Sequence, residues 1–272
     1  MINVLYCGDA RMQDGLLISM LSLLKHTREP LHIYVLTAAL KGFEPVSQAT
    51  VDFLQTQAKL VDSRHQVTRI DATEEFVANP PTANLDTIFT PYCMLRLYAD
   101  QIAALPERLL YLDTDVIVRR RFGDFYHQAL AGVDFVGVLD HYGKWFFHHE
   151  MATFDYLNSG VLLLNLKQIR LTGLFERCRK RCATQKMFMP DQSALNKLAV
   201  VKVIAPRRFN EQRKRHANTV FQHFTTSFRL FPWIHTLTVK PWQIQAMHDQ
   251  LHLHDYDDLL NAYARLAPTM KG

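Results

Sequence analysis

Residues 107–120 read ERLLYLDTDVIVRR. An apolar run leads in, Asp113 and Asp115 interrupt it one residue apart, and a second apolar run leads out. A carboxylate is costly to bury without a partner, and two like charges side by side repel. Two acids in the most strand-like segment of the chain therefore ask for something positive between them. Oxygen donors at i and i+2, at a strand end where the chain turns, can both reach one small divalent cation. Mg²⁺ and Mn²⁺ favour such ligands, taking few protein carboxylates and filling the shell with phosphates. The plainer alternative is one aspartate capping a turn beside an exposed neighbour; the flanking apolar runs weigh against it.

Outward from this stretch, the chain alternates between two periodicities. INVLYCG reads as a buried first strand followed by a turn, and LLISMLSLLKHT as a helix. LHIYVLTA and QVTRIDAT are further strands, with the helix PVSQATVDFLQTQAKLV between them. PYCMLRLYADQIAAL reads as helical, RLLYLDTDVIV as one strand, and DFVGVLD and SGVLLLNL as two more. The last of these is almost continuously apolar, as in a strand buried on both faces. DQSALNKLAV reads as a helix, NTVFQHFT and HTLTV as late strands. Strands alternating with helices predict an α/β fold, a mostly parallel sheet with helices on both faces. In such sheets ligands bind beyond the carboxyl ends of the strands. Asp9 and the Asp113/Asp115 pair both fall there, so one crevice should hold them. Residues 243–272 read as one or two amphipathic helices, a small C-terminal appendage to a domain over 1–242.

Composition is that of an ordinary globular chain, 48% hydrophobic and 21% charged over 272 residues, which leaves room for a substantial core. No apolar run approaches the ~18 residues of a transmembrane helix. MINVLYCGDARM has neither a basic n-region nor a cleavable apolar core, so it reads as a strand and not a signal peptide, which suggests a cytoplasmic protein. The four cysteines show no C-x-x-C spacing and read as reduced thiols. The net charge of +5 concentrates in residues 167–215, either as a solvated basic face or as a surface for phosphates or an anionic membrane. No recognition motif accompanies it, so nucleic acid is not an expected partner. The histidines of HHE (148–150) and MHDQLHLHD (247–255) match no zinc spacing and read as surface residues.

FTPYCMLRLYADQIAALPERLLYLDTDVIV, followed in order by FDYLNSGVLLLNLKQIR, MPDQSALN and KPW, resembles the family 8 glycosyltransferases, the group of bacterial lipopolysaccharide galactosyl- and glucosyltransferases and glycogenin. The resemblance spans roughly residues 1–242. It implies a GT-A fold with a Rossmann-like sheet. It also implies retaining transfer of galactose or glucose from a UDP-sugar to a glycan or glycolipid acceptor, dependent on Mn²⁺ (or Mg²⁺). In that scheme Asp113 and Asp115 bind the cation that bridges the diphosphate, and Thr114 lies against the ribose. The third ligand is a His in a pattern like H-F-x-G-x-x-K-P-W. Here HFTTSFRLFPWIHTLTVKPW offers two candidates, neither with the glycine. His235 keeps nearly the right distance to Lys240 and is preferred; His223, which keeps the HFT context, is the alternative. Lys240 pairs with the diphosphate.

The resemblance also places the donor. In YCGDARM, Asp9 accepts from the uracil N–H, Cys7 and Gly8 give close backbone contact, and Arg11 stands where an Asn is usual. Arg96 contacts donor sugar or phosphate. Asn158 and Gly160 interrupt an apolar strand beside the reacting sugar, where an amide can both donate and accept and a glycine allows close approach. Asp191, otherwise a helix cap, bonds the donor sugar; Gln192 lies near the anomeric carbon, and Asp140 faces donor or acceptor hydroxyls. An amide is a poor nucleophile, so the implied chemistry is a front-face transfer in which Gln192 and Asn158 position the sugar. The basic, aromatic C-terminal third fits an enzyme touching the inner membrane face, with residues 243–272 on the acceptor or membrane side. Two rival readings remain. A haloacid dehalogenase-like phosphatase also uses D-x-D, but on its first strand and with a different continuation. A nucleotide-sugar-binding protein without turnover would suit Arg11 and the missing glycine.

Overall fold

The computed structural model describes residues 1–86, 90–141, 155–229 and 235–271. Its central sheet is built from β1 (Ile2–Cys7), β2 (Leu31–Thr37), β3 (Gln66–Asp71), β4 (Arg108–Leu112), β6 (Phe135–Leu139), β7 (Leu157–Asn165) and β8 (Lys202–Ile204), in the order β3-β2-β1-β4-β7-β6-β8. All neighbours run parallel except β7, which lies antiparallel to both β4 and β6. The near-continuous apolar run of β7 has its cause here: Val161, Leu162, Leu163 and Leu164 are all buried at the middle of a covered sheet.

One apolar layer packs α1 (Gln13–His26) and α2 (Gln48–Val61) on one face of the sheet. The other face carries the 3-10 helix Pro91–Tyr98 and the helices Leu166–Thr172, Leu174–Thr184 and Pro190–Leu198. Cys178 and Cys182 are free, buried in this second layer. The stretch around PYCMLRLY is thus a tight 3-10 helix opened by Pro91, whose fixed φ suits a first helical position. The C-terminal segment forms two helices, Ile244–Asp249 and Asp257–Lys271. Met247, Leu260, Tyr263 and Met270 belong to the same core as α1, and Lys271 Nζ closes the contact on Asp14 at 2.7 Å.

RLLYLDTDVIV is not one strand. β4 stays in the main sheet, the chain turns at the aspartates (Val116 N–H to Asp113 C=O, 3.2 Å), and β5 (Val116–Val118) leaves to pair antiparallel with β9 (Phe221–His223). Asp113 N–H makes the last bond to β7, on Gly160 C=O (2.8 Å), and the chain turns away at the two acids. The register of the small sheet sets Val116 opposite His223. A hairpin of β10 (Ser227–Arg229) and β11 (His235–Leu237) follows. HHE and most of FRLFPW lie outside the described residues.

Part of the basic third is structural. Arg179 is buried, paired with Asp100 and bonded to Leu97 C=O, while Arg207 pairs with Glu211 and Arg215 with Asp255. Arg120, Arg121, Arg213 and Lys214 are exposed.

Candidate active site

The break after β4 gathers Arg96, Asp113, Asp115, His223 and Lys240. Asp113 Oδ1 accepts from Tyr111 O–H (2.6 Å) and Arg96 Nη2 (3.1 Å). Asp115 Oδ2 receives Lys240 Nζ at 2.5 Å, and the same ammonium donates to Phe224 C=O at 2.9 Å. Asp115 Oδ1 is buried, accepts no hydrogen bond, and faces His223 Nε2 at 3.2 Å; Asp113 Oδ2 lies 3.7 Å from that nitrogen. Burial raises the Asp115 pKa, but Lys240 and His223 outweigh it and hold the carboxyl below the usual range. Asp113, Asp115 and His223 could together hold one metal ion, their ligand atoms lying within 4.8 Å of one another. The structure brings the alternative histidine to the aspartates. Of His235 it places the backbone only, in β11 opposite Arg229.

Gly160 makes room for this cluster. A Cβ there would collide with the His223 ring and come within 2.8 Å of Asp113 Oδ2, so the close approach is to the cluster itself. Arg96, 3% exposed, is pinned on every side. It lies 3.9 Å above the Tyr111 ring, pairs with Asp113 and with Asp191 (3.3 Å), and donates to the carbonyls of Cys93 and Ser159. Asp191 opens the helix Pro190–Leu198; burial raises its pKa, with Arg96 opposing.

Beyond Gly160 the polar groups form a chain. Gln192 Oε1 accepts from Ser159 N–H (2.9 Å) and Ser159 O–H (3.2 Å), while its Nε2 donates to Asp140 Oδ2 (2.9 Å). Asn158 Nδ2 donates to the same Asp140 oxygen (3.1 Å), and its Oδ1 accepts from Gly160 N–H and from Asn210 Nδ2. Four of the residues expected at the sugar are therefore adjacent here: Asn158, Gly160, Gln192 and Asp140.

The residues expected at the nucleotide start at the end of β1, beside β4. Burial pushes the Cys7 thiol upward, with Arg96, Asp113 and Asp191 near enough to act on it. Gly8 C=O accepts from Thr37 Oγ1, and a Cβ on Gly8 would meet Met12 Sδ. Asp9 is occupied: Oδ2 receives Arg11 Nε (2.8 Å) and Nη2 (2.6 Å), with the guanidinium over the Phe43 ring. Thr114 C=O lies 2.8 Å from where a Cβ on Gly15 would stand, at the start of α1.

Tyr111 and Asn210 escaped the reading of the sequence. Tyr111 carried a signal, since a residue two before Asp113 on a strand shares its face. Asn210, in RRFNEQ, carried none. A second histidine group, His248 and His254 on Asp257, has its rings stacked with planes 24° apart. His248 donates from Nε2 to Asp257 Oδ1 at 2.7 Å and His254 Nδ1 lies 3.4 Å from Oδ2, so hydrogen bonding to one carboxylate accounts for the arrangement.

The order of the sheet and its break after β4 are those of the GT-A fold. A family model, glycosyl transferase family 8, matches residues 3–246, and the chain belongs to that family. A lipopolysaccharide 1,2-glucosyltransferase of Escherichia coli is 27% identical over 269 residues, covering 91% of this chain and 74% of that one. Among solved structures, an active-site mutant of LgtC superposes with a TM-score of 0.70 at 19% identity, over 98% of this chain and 96% of that one. The galactosyltransferase LgtC with donor and acceptor sugar analogues gives 0.66 at 18% identity, with 98% and 96% coverage. GlyE of Streptococcus pneumoniae gives 0.62 at 16% identity over 98% of this chain and 64% of that one.

Proposed function

We propose that the protein is a retaining hexosyltransferase that moves glucose or galactose from a UDP-sugar to a glycan acceptor, with Mn²⁺, or Mg²⁺ in its place, on Asp113, Asp115 and His223. The carrying observation is Asp115 Oδ1, buried without a hydrogen bond and 3.2 Å from an imidazole nitrogen. Two carboxylates and one imidazole fit a divalent cation of this kind. When bound, the cation neutralises charge that grows on a departing diphosphate.

The chain's own groups do the rest. Lys240 adds a second positive charge at Asp115 and reaches the diphosphate from there. Gln192 uses its amide oxygen on two Ser159 donors, so it acts by position and not as a nucleophile. Together with Asn158 and Asp140 it orients the sugar for attack from the leaving-group side, the departing phosphate taking the acceptor's proton. Asp191 supplies a carboxyl to the sugar, and Arg96 holds it in register with Asp113. A cleft beside Asp140, lined by Leu139, Ala205, Arg207, Asn210 and Gln212, suits the acceptor. The glucosyltransferase relative is named for lipopolysaccharide, which favours a lipid-linked glycan there. Among the described residues no helix is long and apolar enough to cross a membrane. The exposed arginines fit a cytoplasmic enzyme resting on an anionic membrane face.

One observation favours a second reading: Arg11 fills the Asp9 carboxylate that a uracil N–H would use, as in a nucleotide-sugar-binding protein without turnover. UDP release from a panel of UDP-sugars, with Mn²⁺ or EDTA and no acceptor, tests both. Slow Mn²⁺-dependent hydrolysis of one hexose donor supports the transferase and identifies its sugar. Binding without release supports the second reading, and silence together with no Mn²⁺-dependent UDP binding overturns both.

A further inference from the structure

We infer that Asn210 is a positioning residue that joins the cation site to the sugar-orienting amides. The inference rests on the proposed cation at Asp113, Asp115 and His223.

The side chain is 1% exposed, so each polar atom of its amide must find a partner. Its Oδ1 meets His223 Nδ1 at 3.2 Å and its Nδ2 donates to Asn158 Oδ1 at 2.8 Å. A carbonyl oxygen only accepts, so Nδ1 carries a ring hydrogen and Nε2, which faces Asp113 and Asp115, is the nitrogen left to ligate a cation held there. The amide cannot turn over. Asn158 Oδ1 is also an acceptor, already bound by Gly160 N–H at 3.0 Å, and reversing Asn210 would set oxygen against oxygen. Asn158 is fixed at its other end, where Nδ2 donates to Asp140 Oδ2, the oxygen that also receives Gln192 Nε2. One polar chain therefore runs His223–Asn210–Asn158–Asp140–Gln192, every member buried. Two functions meet in Asn210. It selects the tautomer that presents a ligand nitrogen to the cation, and it orients the Asn158 amide on which Asp140 and Gln192 depend. A partner that orients a metal-ligating imidazole commonly carries 10–100-fold in metal affinity.

The test compares Asn210→Leu and Asn210→Asp with the unaltered full chain. Free Mn²⁺ is followed by electron paramagnetic resonance in the absence of nucleotide, and UDP-sugar hydrolysis is measured at saturating Mn²⁺. Asn210→Leu should weaken Mn²⁺ binding roughly 10–100-fold, and at saturating Mn²⁺ its kcat should still fall, with KM for the cation-bound donor changed less. Asn210→Asp keeps an acceptor for Nδ1–H and should hold Mn²⁺ at least as tightly as the unaltered protein. A folded Asn210→Leu protein with unchanged Mn²⁺ affinity overturns the cation half; normal kcat at saturating Mn²⁺ overturns the sugar half. Should Asn210→Leu fail to fold, Asn210→Ser carries the same comparison, because a hydroxyl is too short to span both partners. If the unaltered protein binds no Mn²⁺, and Asp115→Asn changes nothing, the proposed cation site has failed and not the role of Asn210 alone.

Discussion

His223 and His235 separate two ideas of what a motif preserves. A fixed count of residues before Lys-Pro-Trp selects His235, whereas the register of β5 against β9 delivers His223 to Asp115. His223→Ala should weaken Mn²⁺ binding by at least the 10–100-fold typical of an outer-shell loss, and His235→Ala should leave it within a factor of about two, as read by Mn²⁺ titration. The reverse pattern would return the ligand to His235. Arg96 supports a second prediction. Its guanidinium sits between Asp113 and Asp191, and removing one partner of a buried ion pair strands the other charge. Arg96→Met should therefore cost roughly 3–5 kcal/mol of unfolding free energy, read by denaturant titration. Adding Asp191→Asn should recover part of that, because it removes a carboxyl left without its counter-ion. Asp113 and Asp115 were legible because like charges in an apolar run need an explanation. Asn210 was not, since its meaning lies in contacts 13 and 52 residues away.

At the scale of elements, the hairpin of β10 and β11 accounts for the long spacing between His223 and Lys240. Its two ends are adjacent, Thr226 Oγ1 lying 2.8 Å from Thr238 Oγ1, so the chain leaves after Thr226 and returns to Lys240 almost where it left. The hairpin lengthens the sequence between His223 and Lys240 without separating them in space, Lys240 Nζ donating to Phe224 C=O at 2.9 Å. Replacing residues 226–237 by one glycine would restore H-F-x-G-x-x-K-P-W from this chain's own residues. The shortened protein should bind Mn²⁺ and UDP within about threefold of the parent in calorimetry; a folded product that binds neither would make the hairpin part of the donor site. The helix Asp257–Lys271 supplies a pH prediction. Hydrogen bonding from His248, with His254 adding to it, holds the Asp257 carboxyl below its ordinary value. A depressed carboxyl contributes stability above the unfolded-state pKa and loses it as pH falls through the folded one. Acid unfolding followed by circular dichroism should thus begin at higher pH in His248→Ala, and Asp257→Asn should flatten the limb below about pH 4. The parallel strands were legible from their apolar runs. The split of RLLYLDTDVIV was not, because Val116–Val118 is as apolar as β4 and only tertiary pairing tells them apart.

For the whole molecule, the open question is whether the chain divides at 242. Amphipathic periodicity marks residues 243–272 as helical but says nothing of how much of the core they complete. The structure buries Met247, Tyr256, Leu260, Tyr263 and Met270 in the layer that also holds α1, and no second core serves them among the described residues. At about 1.5–3 kcal/mol for each large apolar side chain, the five contribute roughly 8–15 kcal/mol as an upper estimate. That rivals the 5–15 kcal/mol that holds a typical domain together. Residues 1–242 alone should accordingly show no cooperative thermal transition, although they hold every ligand of the proposed cation site. Lys271→Ala removes only the half-exposed pair with Asp14 and should shift stability by less than about 1 kcal/mol. A truncated chain that melts cooperatively and still binds Mn²⁺ would make the C-terminal helices a true appendage, free to serve acceptor or membrane. Failure of the truncation beside a stable Lys271→Ala protein would assign them to the core of the fold, and any acceptor or membrane contact they make would then act directly on α1.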